Sequence, residues 1–183
     1  DKNIIHVEGD VDPIRDIEII NAELILSDLE IVENRIGKIE KKAETTKDKL
    51  AVLELSALRK SKDALLNNKS LRDVDYTDDE YELIRSFNLI TLKKIIYVAN
   101  VNEEDAAAGT NSYTEKVKEY AKKEGSQVVV MCAKLESELS ELEGEEKTLF
   151  LSELGIKESG LDQLIKATYC LLGLKTFFTS GVD

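Results

Sequence analysis

From Pro13 onward, about thirty residues pass without a further proline or a turn cluster, and one apolar series runs through them. Ala22, Ile25, Leu29, Val32, Ile36, Ile39 and Ala43 recur at alternating spacings of three and four, with mostly charged residues between them. That is a heptad seam over three repeats, the pattern of a long helix that must bury one stripe against a partner. Asp12 and Pro13 suit its start: aspartate can cap, and proline at the first helical position forfeits no needed hydrogen bond. A second helix is predicted from about Lys49 to Leu66, with Leu50, Leu53, Ala57 and Ala64 on one stripe and Leu55, Leu58 and Leu65 widening it. Only the short polar link "AETTKDK" separates the two, so the simplest fold is an antiparallel hairpin. Truncating a well-buried Leu29 or Ile36 to alanine is then expected to cost on the order of 2–5 kcal/mol.

The chain has 183 residues, room for one domain with a substantial core or two small ones. Apolar residues make up 42 % of it and the formal charge is −12, a balance suited to a folded protein in water. The negative charge opposes sequence-independent nucleic-acid binding over the whole surface, although it permits a local basic patch. Two cysteines, Cys132 and Cys170, and a single histidine, His6, do not make a zinc site or a disulfide framework. No apolar run approaches the roughly 18 residues of a membrane span. The expected compartment is a reducing cytoplasm, with no membrane association. The first residue is Asp1, and "DKNIIHVEGD" reads as the tail of a strand entering a loop, so the chain is expected to begin inside a domain.

Past the hairpin, Thr77 and Glu80 have capping-box spacing, with Tyr76 and Tyr81 as the accompanying staple, and a short helix to about Phe87 is predicted. The character then changes. "KKIIYVAN" is a continuous apolar run rich in β-branched residues, as expected of a strand buried on both faces. Ser112 and Glu115 suggest another capping box for a helix ending at Gly125, and "SQVVVMCAK" reads as a second buried strand. Strand, helix and strand make a parallel unit with a crossover connection. Three amphipathic helices follow, near 135–142, 145–154 and 160–172. The last is capped by Ser159, carries a stripe of Leu161, Leu164, Ile165, Thr168 and Leu172, and stops at Gly173. The fold class predicted is α/β, a partial doubly wound parallel sheet with an inserted helical hairpin, its remaining strands expected before Asp1.

Ligands of open parallel sheets bind outside the carboxyl ends of the strands. Asn100 falls at one such end and Cys132-Ala133-Lys134 at the other. A side-chain amide both donates and accepts, so it can pair with adenine's exocyclic amine and neighbouring ring nitrogen together. The same amide can equally close a turn, since asparagine is common where strands end. Cys132 reads by default as a small buried hydrophobe, Lys134 as a solvated helix start, and His6 as a loop or packing residue. The carboxylates of "LSELEGEEK" read as a solvated surface, and no paired-acid or nucleophile–base constellation is found. No glycine begins G-x-x-x-x-G-K-[ST], and Gly37-Lys38 is followed by isoleucine within the first helix.

In order, "HVEGDVDPIRDIEIINAELILSDLE", "TLKKIIYVANVNEED" and "MCAKLESELSELEGEEKTLFLSELGIKESGLDQLIKATYCLLGLKTFFTSG" resemble the YchF family, Obg-related P-loop ATPases of the translation-factor GTPase class. The resemblance covers nearly the whole chain and is loose only around 40–70. It implies a parent with a nucleotide-binding domain, an inserted coiled-coil domain and a C-terminal TGS domain. Residues 1–20 and 89–174 would belong to the first, 21–88 to the second, and 175–183 would lead toward the third. The phosphate loop, magnesium ligands and catalytic histidine of the family would lie before Asp1, and His6 does not match that histidine. ATP and Mg2+ would therefore be cofactors of the parent, neither held tightly by this portion alone.

The resemblance also assigns a base-binding set. Asn100 would read adenine, Val101 would line the base pocket, and Glu103 would replace the aspartate that fits guanine in related GTPases. Cys132, Ala133 and Lys134 match the loop that closes over the base. The implied function is an ATP-hydrolysing switch, preferring adenine to guanine and read by the ribosome or a related partner. The competing reading is a helical interaction module without nucleotide turnover. Direct RNA binding is a third, through Lys38, Lys41, Lys42, Lys47 and Lys49 near the hairpin tip.

Overall fold

The computed structural model describes residues 11–46 and 48–179; His6, the segment around it and Lys47 lie outside them. The chain divides into two compact units, Arg15–Lys94 and the remainder.

In the first unit, helix α1 runs Pro13–Thr46 and α2 runs Lys49–Leu66. Asp12 Oδ1 accepts the Ile14 N–H at 3.1 Å, and Asp48 caps α2 by accepting the Leu50 N–H at 3.0 Å. The two helices share one core. Ile25, Val32, Ile39 and Ala43 of α1 are buried with Ala51, Leu55, Leu58 and Leu65 of α2, while Leu29 and Ile36 are half-buried against them. Ion pairs rim the seam: Lys62–Glu33 at 2.8 Å, Arg59–Glu40 at 2.7 Å, and Lys42–Asp48 at 3.2 Å. Rising numbers on α1 meet falling numbers on α2, so the helices lie antiparallel.

Of the predicted stripe of α2, Ala57, Ala64, Leu55, Leu58 and Leu65 are buried and Leu53 is half-buried; Leu50, at the start of the helix, is the exception. Leu50 is 67 % exposed, and Ala51 faces inward in its place. The buried face also includes Ser61, a fully buried polar residue. Its hydroxyl donates to the Ala57 carbonyl at 2.8 Å and lies 2.7 Å from the Tyr76 hydroxyl. An apolar count skips such a residue.

Helix α3, Asp78–Arg85, has the predicted capping box: Glu80 N–H to Thr77 Oγ1 at 3.3 Å, and Thr77 N–H to Glu80 Oε2 at 3.0 Å. The predicted staple is different from what is seen. Tyr81 is exposed, and Tyr76 instead packs on the core of this unit, with the Lys60 ammonium 5.2 Å from its ring centre. Lys60 continues to Glu80 Oε2 at 3.1 Å. The segment then returns to α1 at Asp28, a fully buried carboxylate. Asp28 accepts the Ile90 N–H at 2.9 Å, the Thr91 N–H at 2.7 Å and the Thr91 hydroxyl at 2.6 Å.

The second unit contains the sheet. Strand β1, Ile96–Asn100, pairs in parallel with β2, Gln127–Met131, in a register running from Ile96 opposite Gln127 to Asn100 opposite Met131. Between them lie α4, Glu103–Ala108, and α5, Ser112–Lys123. α6 (Ala133–Leu139), α7 (Gly144–Glu153) and α8 (Gly160–Leu172) follow. α5 buries Val117 and Ala121 and packs on both strands, and α8 packs on β2. The unit is thus α/β with a parallel sheet and mostly helical content.

Three local expectations are corrected here. β1 is not covered on both faces among the described residues, since Val98 is 46 % exposed. The cap of α5 is Asn111, not Ser112: its Oδ1 accepts the Tyr113 and Thr114 N–H groups at 2.9 and 2.8 Å, and Thr114 Oγ1 returns the bond to Asn111 N–H at 2.7 Å. Asparagine and threonine replace the serine and glutamate of the usual box, which is why the spacing rule chose a position one residue late. On α8, Leu161, Ile165 and Leu172 are exposed. The side toward solvent therefore carries much of the predicted stripe.

Candidate functional site

Because β1 and β2 are parallel and in register, their carboxyl ends stand side by side. The Val101 N–H donates to the Met131 carbonyl at 2.9 Å, which extends the ladder one residue beyond Asn100. Both chains then turn into helices. Asn102 caps α4 by accepting the Asp105 N–H at 2.8 Å, which makes Glu103 the first residue of that helix. Across the gap, Ala133 is the first residue of α6 and Lys134 the second.

Asn100 lies exposed at this end, and its Oδ1 accepts the Ala133 N–H at 3.0 Å. Only an oxygen can accept there, so the bond settles which way the amide points. One lone pair of Oδ1 remains, and no hydrogen-bond partner of Nδ2 is found among the described residues. The side chain therefore presents an acceptor and a donor next to each other, in a known order.

Glu103 and Lys134 also meet. Lys134 Nζ donates to Glu103 Oε1 at 2.8 Å and lies 3.7 Å from Glu138 Oε1. The hydrogen bond to Glu103, then the nearby negative charges, raise the Lys134 pKa above the ordinary lysine value. Val101 and Cys132 are buried; Cys132 packs in a small core with Leu135 and Leu139, against Phe150, Leu151 and Leu154. The structure thus brings Asn100 to Ala133 and Glu103 to Lys134 at the strand ends, while Val101 and Cys132 are buried.

Two residues of this neighbourhood escaped the sequence reading. Glu136 accepts the Gly160 N–H at 2.6 Å and the Leu161 N–H at 3.2 Å, tying α6 to the start of α8. Gly160 permits this approach: a Cβ there would stand 2.3 Å from the Met131 Cβ. A glutamate in a short acidic helix gives no sequence signal for such a bond. The Ser-Gly pair opening α8 was visible, but only as a cap.

Among the described residues no group of three or more His, Cys, Asp or Glu side chains is arranged to hold a metal ion, and no helix is long and apolar enough to cross a membrane. A shallow, mostly apolar concavity lies along α7, lined by Gly144, Glu145, Glu146, Thr148, Leu149 and Ser152.

Fold and strand ends together define an α/β protein of the parallel-sheet class, with an Asn-Val-Asn-Glu tetrad at the place where such sheets bind ligands. No protein-family model matches the chain. Individual proteins do. The chain is 54 % identical over 182 residues to the ribosome-binding ATPase YchF of Bacillus subtilis, covering 99 % of this chain and 50 % of that protein. To the ribosome-binding ATPase YchF of Haemophilus influenzae it is 46 % identical over 180 residues, covering 98 % of this chain and 49 % of that one. A solved structure of the Schizosaccharomyces pombe YchF GTPase superposes with a TM-score of 0.81 at 33 % identity, over 94 % of this chain and 47 % of the other. Along nearly its whole length the chain is similar to proteins of the YchF family, and it spans about half the length of the curated relatives it matches.

Proposed function

We propose that this chain supplies the base-reading end and a helical arm of a nucleotide-binding, ribosome-associated ATPase of the cytoplasm. The observation that carries the reading is the Asn100 amide, held at the carboxyl end of β1 by the Ala133 N–H. Adenine offers an exocyclic N6 donor beside an N7 acceptor, whereas guanine offers two acceptors, O6 and N7. Oδ1 can take the N6 hydrogen with its second lone pair while Nδ2 donates to N7. Guanine would set O6 against Oδ1, and turning the amide over to avoid this would break the bond to Ala133. The arrangement favours adenine by about 1–3 kcal/mol, the usual range for one bidentate amide–base pair.

Val101 and Cys132 support the reading from below, as packed residues beneath the base surface. Magnesium and the triphosphate are assigned to none of the described side chains, among which no group of three or more His, Cys, Asp or Glu is arranged to hold a metal ion. The printed names of the relatives carry the ribosome and ATP hydrolysis, and both are extended to this protein as part of the proposal. In it, residues 21–88 form a coiled-coil arm inserted between 1–20 and 89–174 of the nucleotide-binding domain, and 175–183 form a linker. Lys38, Lys41 and Lys49, exposed near the α1–α2 turn, give that arm a basic tip suited to ribosomal RNA.

The test uses the full-length protein. A Val101→Lys, Glu103→Asp double change is expected to move nucleotide preference toward GTP in parallel ATP and GTP titrations. An unchanged preference, with the fold intact, would remove the tetrad from base selection.

A further inference from the structure

The reading above gives Asn100 the adenine edge and leaves Glu103 without a task. A free carboxylate at this surface would be an awkward neighbour for adenine selection. Guanine's pairing edge carries an N1–H and an N2 amine side by side, two donors that one carboxylate accepts together, and adenine offers no such pair. An unrestrained Glu103 would therefore recruit guanine and offset part of the discrimination made by Asn100.

Glu103 is not unrestrained. Its Oε1 accepts from Lys134 Nζ at 2.8 Å, between the first residue of α4 and the second residue of α6. These helices begin at the two strand ends flanking Asn100, so the pair bridges the same surface. Glu138, one turn further along α6, lies 3.7 Å from the same ammonium and stabilises its position. We propose that Lys134 is a specificity-positioning residue: by holding the Glu103 carboxylate it denies that group to guanine and keeps the site set for adenine. The assignment rests on the reading proposed above, that this surface is where the base binds.

The pair is exposed, with 73 % of the Lys134 side chain and 43 % of the Glu103 side chain open to solvent. Exposed ion pairs are weak, so the effect is a bias and not a lock, about two- to fivefold in relative affinity. The experiment is a set of calorimetric titrations of the full-length protein with ATP and with GTP, for the wild type and for Lys134→Met, Lys134→Arg, Glu103→Gln and the Lys134→Met, Glu103→Gln pair. Lys134→Met is expected to raise GTP affinity relative to ATP by about two- to fivefold. Lys134→Arg, which keeps the ion pair, should leave the ratio as it is. In the Glu103→Gln background, Lys134→Met should no longer change it.

A Lys134→Met change that alters both affinities by the same factor, or neither, overturns the assignment. So does an effect on the ratio that survives removal of the Glu103 charge. The two proposals fail separately. If Asn100→Ala leaves ATP binding intact while Lys134→Met still moves the ratio, the base reader is misassigned, and the Lys134–Glu103 pair biases base choice without it. A wild type that binds neither nucleotide sinks both.

Discussion

Asp28 shows what a single residue can do that no periodicity reveals. It sits in α1 between inward positions of the apolar seam, carries a carboxyl group, and is fully buried. Three donors around Ile90 and Thr91 make that burial tolerable, and they fasten the segment that leads into β1. Asp28→Ala would leave two backbone N–H groups and a hydroxyl without acceptors, so a loss of roughly 2–4 kcal/mol is expected from urea unfolding. Asp28→Asn, which keeps one acceptor oxygen, should lose less; equal losses would mean that the hydrogen bonds are not what the residue contributes. Asn100 is the opposite case. Its place at a strand end was legible from the run "KKIIYVAN", but the bond that orients it comes from Ala133, 33 positions away in sequence. Spacing alone could not choose between a turn residue and a reader.

At the scale of elements, the helices and strands were legible because each has a strong period or a clear cap. α1 and α2 begin and end where the apolar seam and the caps place them. What was missed is the polar residue at an inward position, as Ser61 is in α2. The burial pattern of α2 has a measurable consequence. Leu58→Ala, at a fully buried site, is expected to cost about 2–5 kcal/mol, whereas Leu50→Ala, at an exposed one, should change stability by less than about 0.5 kcal/mol. Leu29 and Ile36, being half-buried, should fall between these values. The join between β2 and α8 is tighter than any pattern suggested. Gly160→Ala should lower stability by about 1–3 kcal/mol, because its Cβ would overlap Met131 and press on the carboxylate of Glu136. Thermal melts that superimpose on the wild type would show that α8 can shift freely away from β2.

For the molecule as a whole, acid is the informative perturbation. The Glu80 carboxyl is held below the usual carboxylate range, first by the Thr77 N–H and then by Lys60. Its folded pKa is depressed, so the stability it contributes is complete above the unfolded value of about 4.3 and is lost as pH falls through the lower folded value. Glu80→Gln should therefore flatten the decline of unfolding free energy below about pH 4.3; an unaltered decline would assign it to other carboxylates. The pairing of β1 with β2 was foreseeable, since a helix between two β-branched runs demands parallel strands. The outer face of α8 was not, because an apolar stripe on a helix does not say which neighbour covers it. The central claim lies above all of these: Asn100, oriented by Ala133, reads adenine. The most direct measurement is an equilibrium titration of the full-length protein with ATP, comparing the wild type with Asn100→Ala. The account predicts weaker binding by about 1–3 kcal/mol, roughly five- to 150-fold, with the fold preserved. An ATP affinity that stays the same in the folded variant would contradict it.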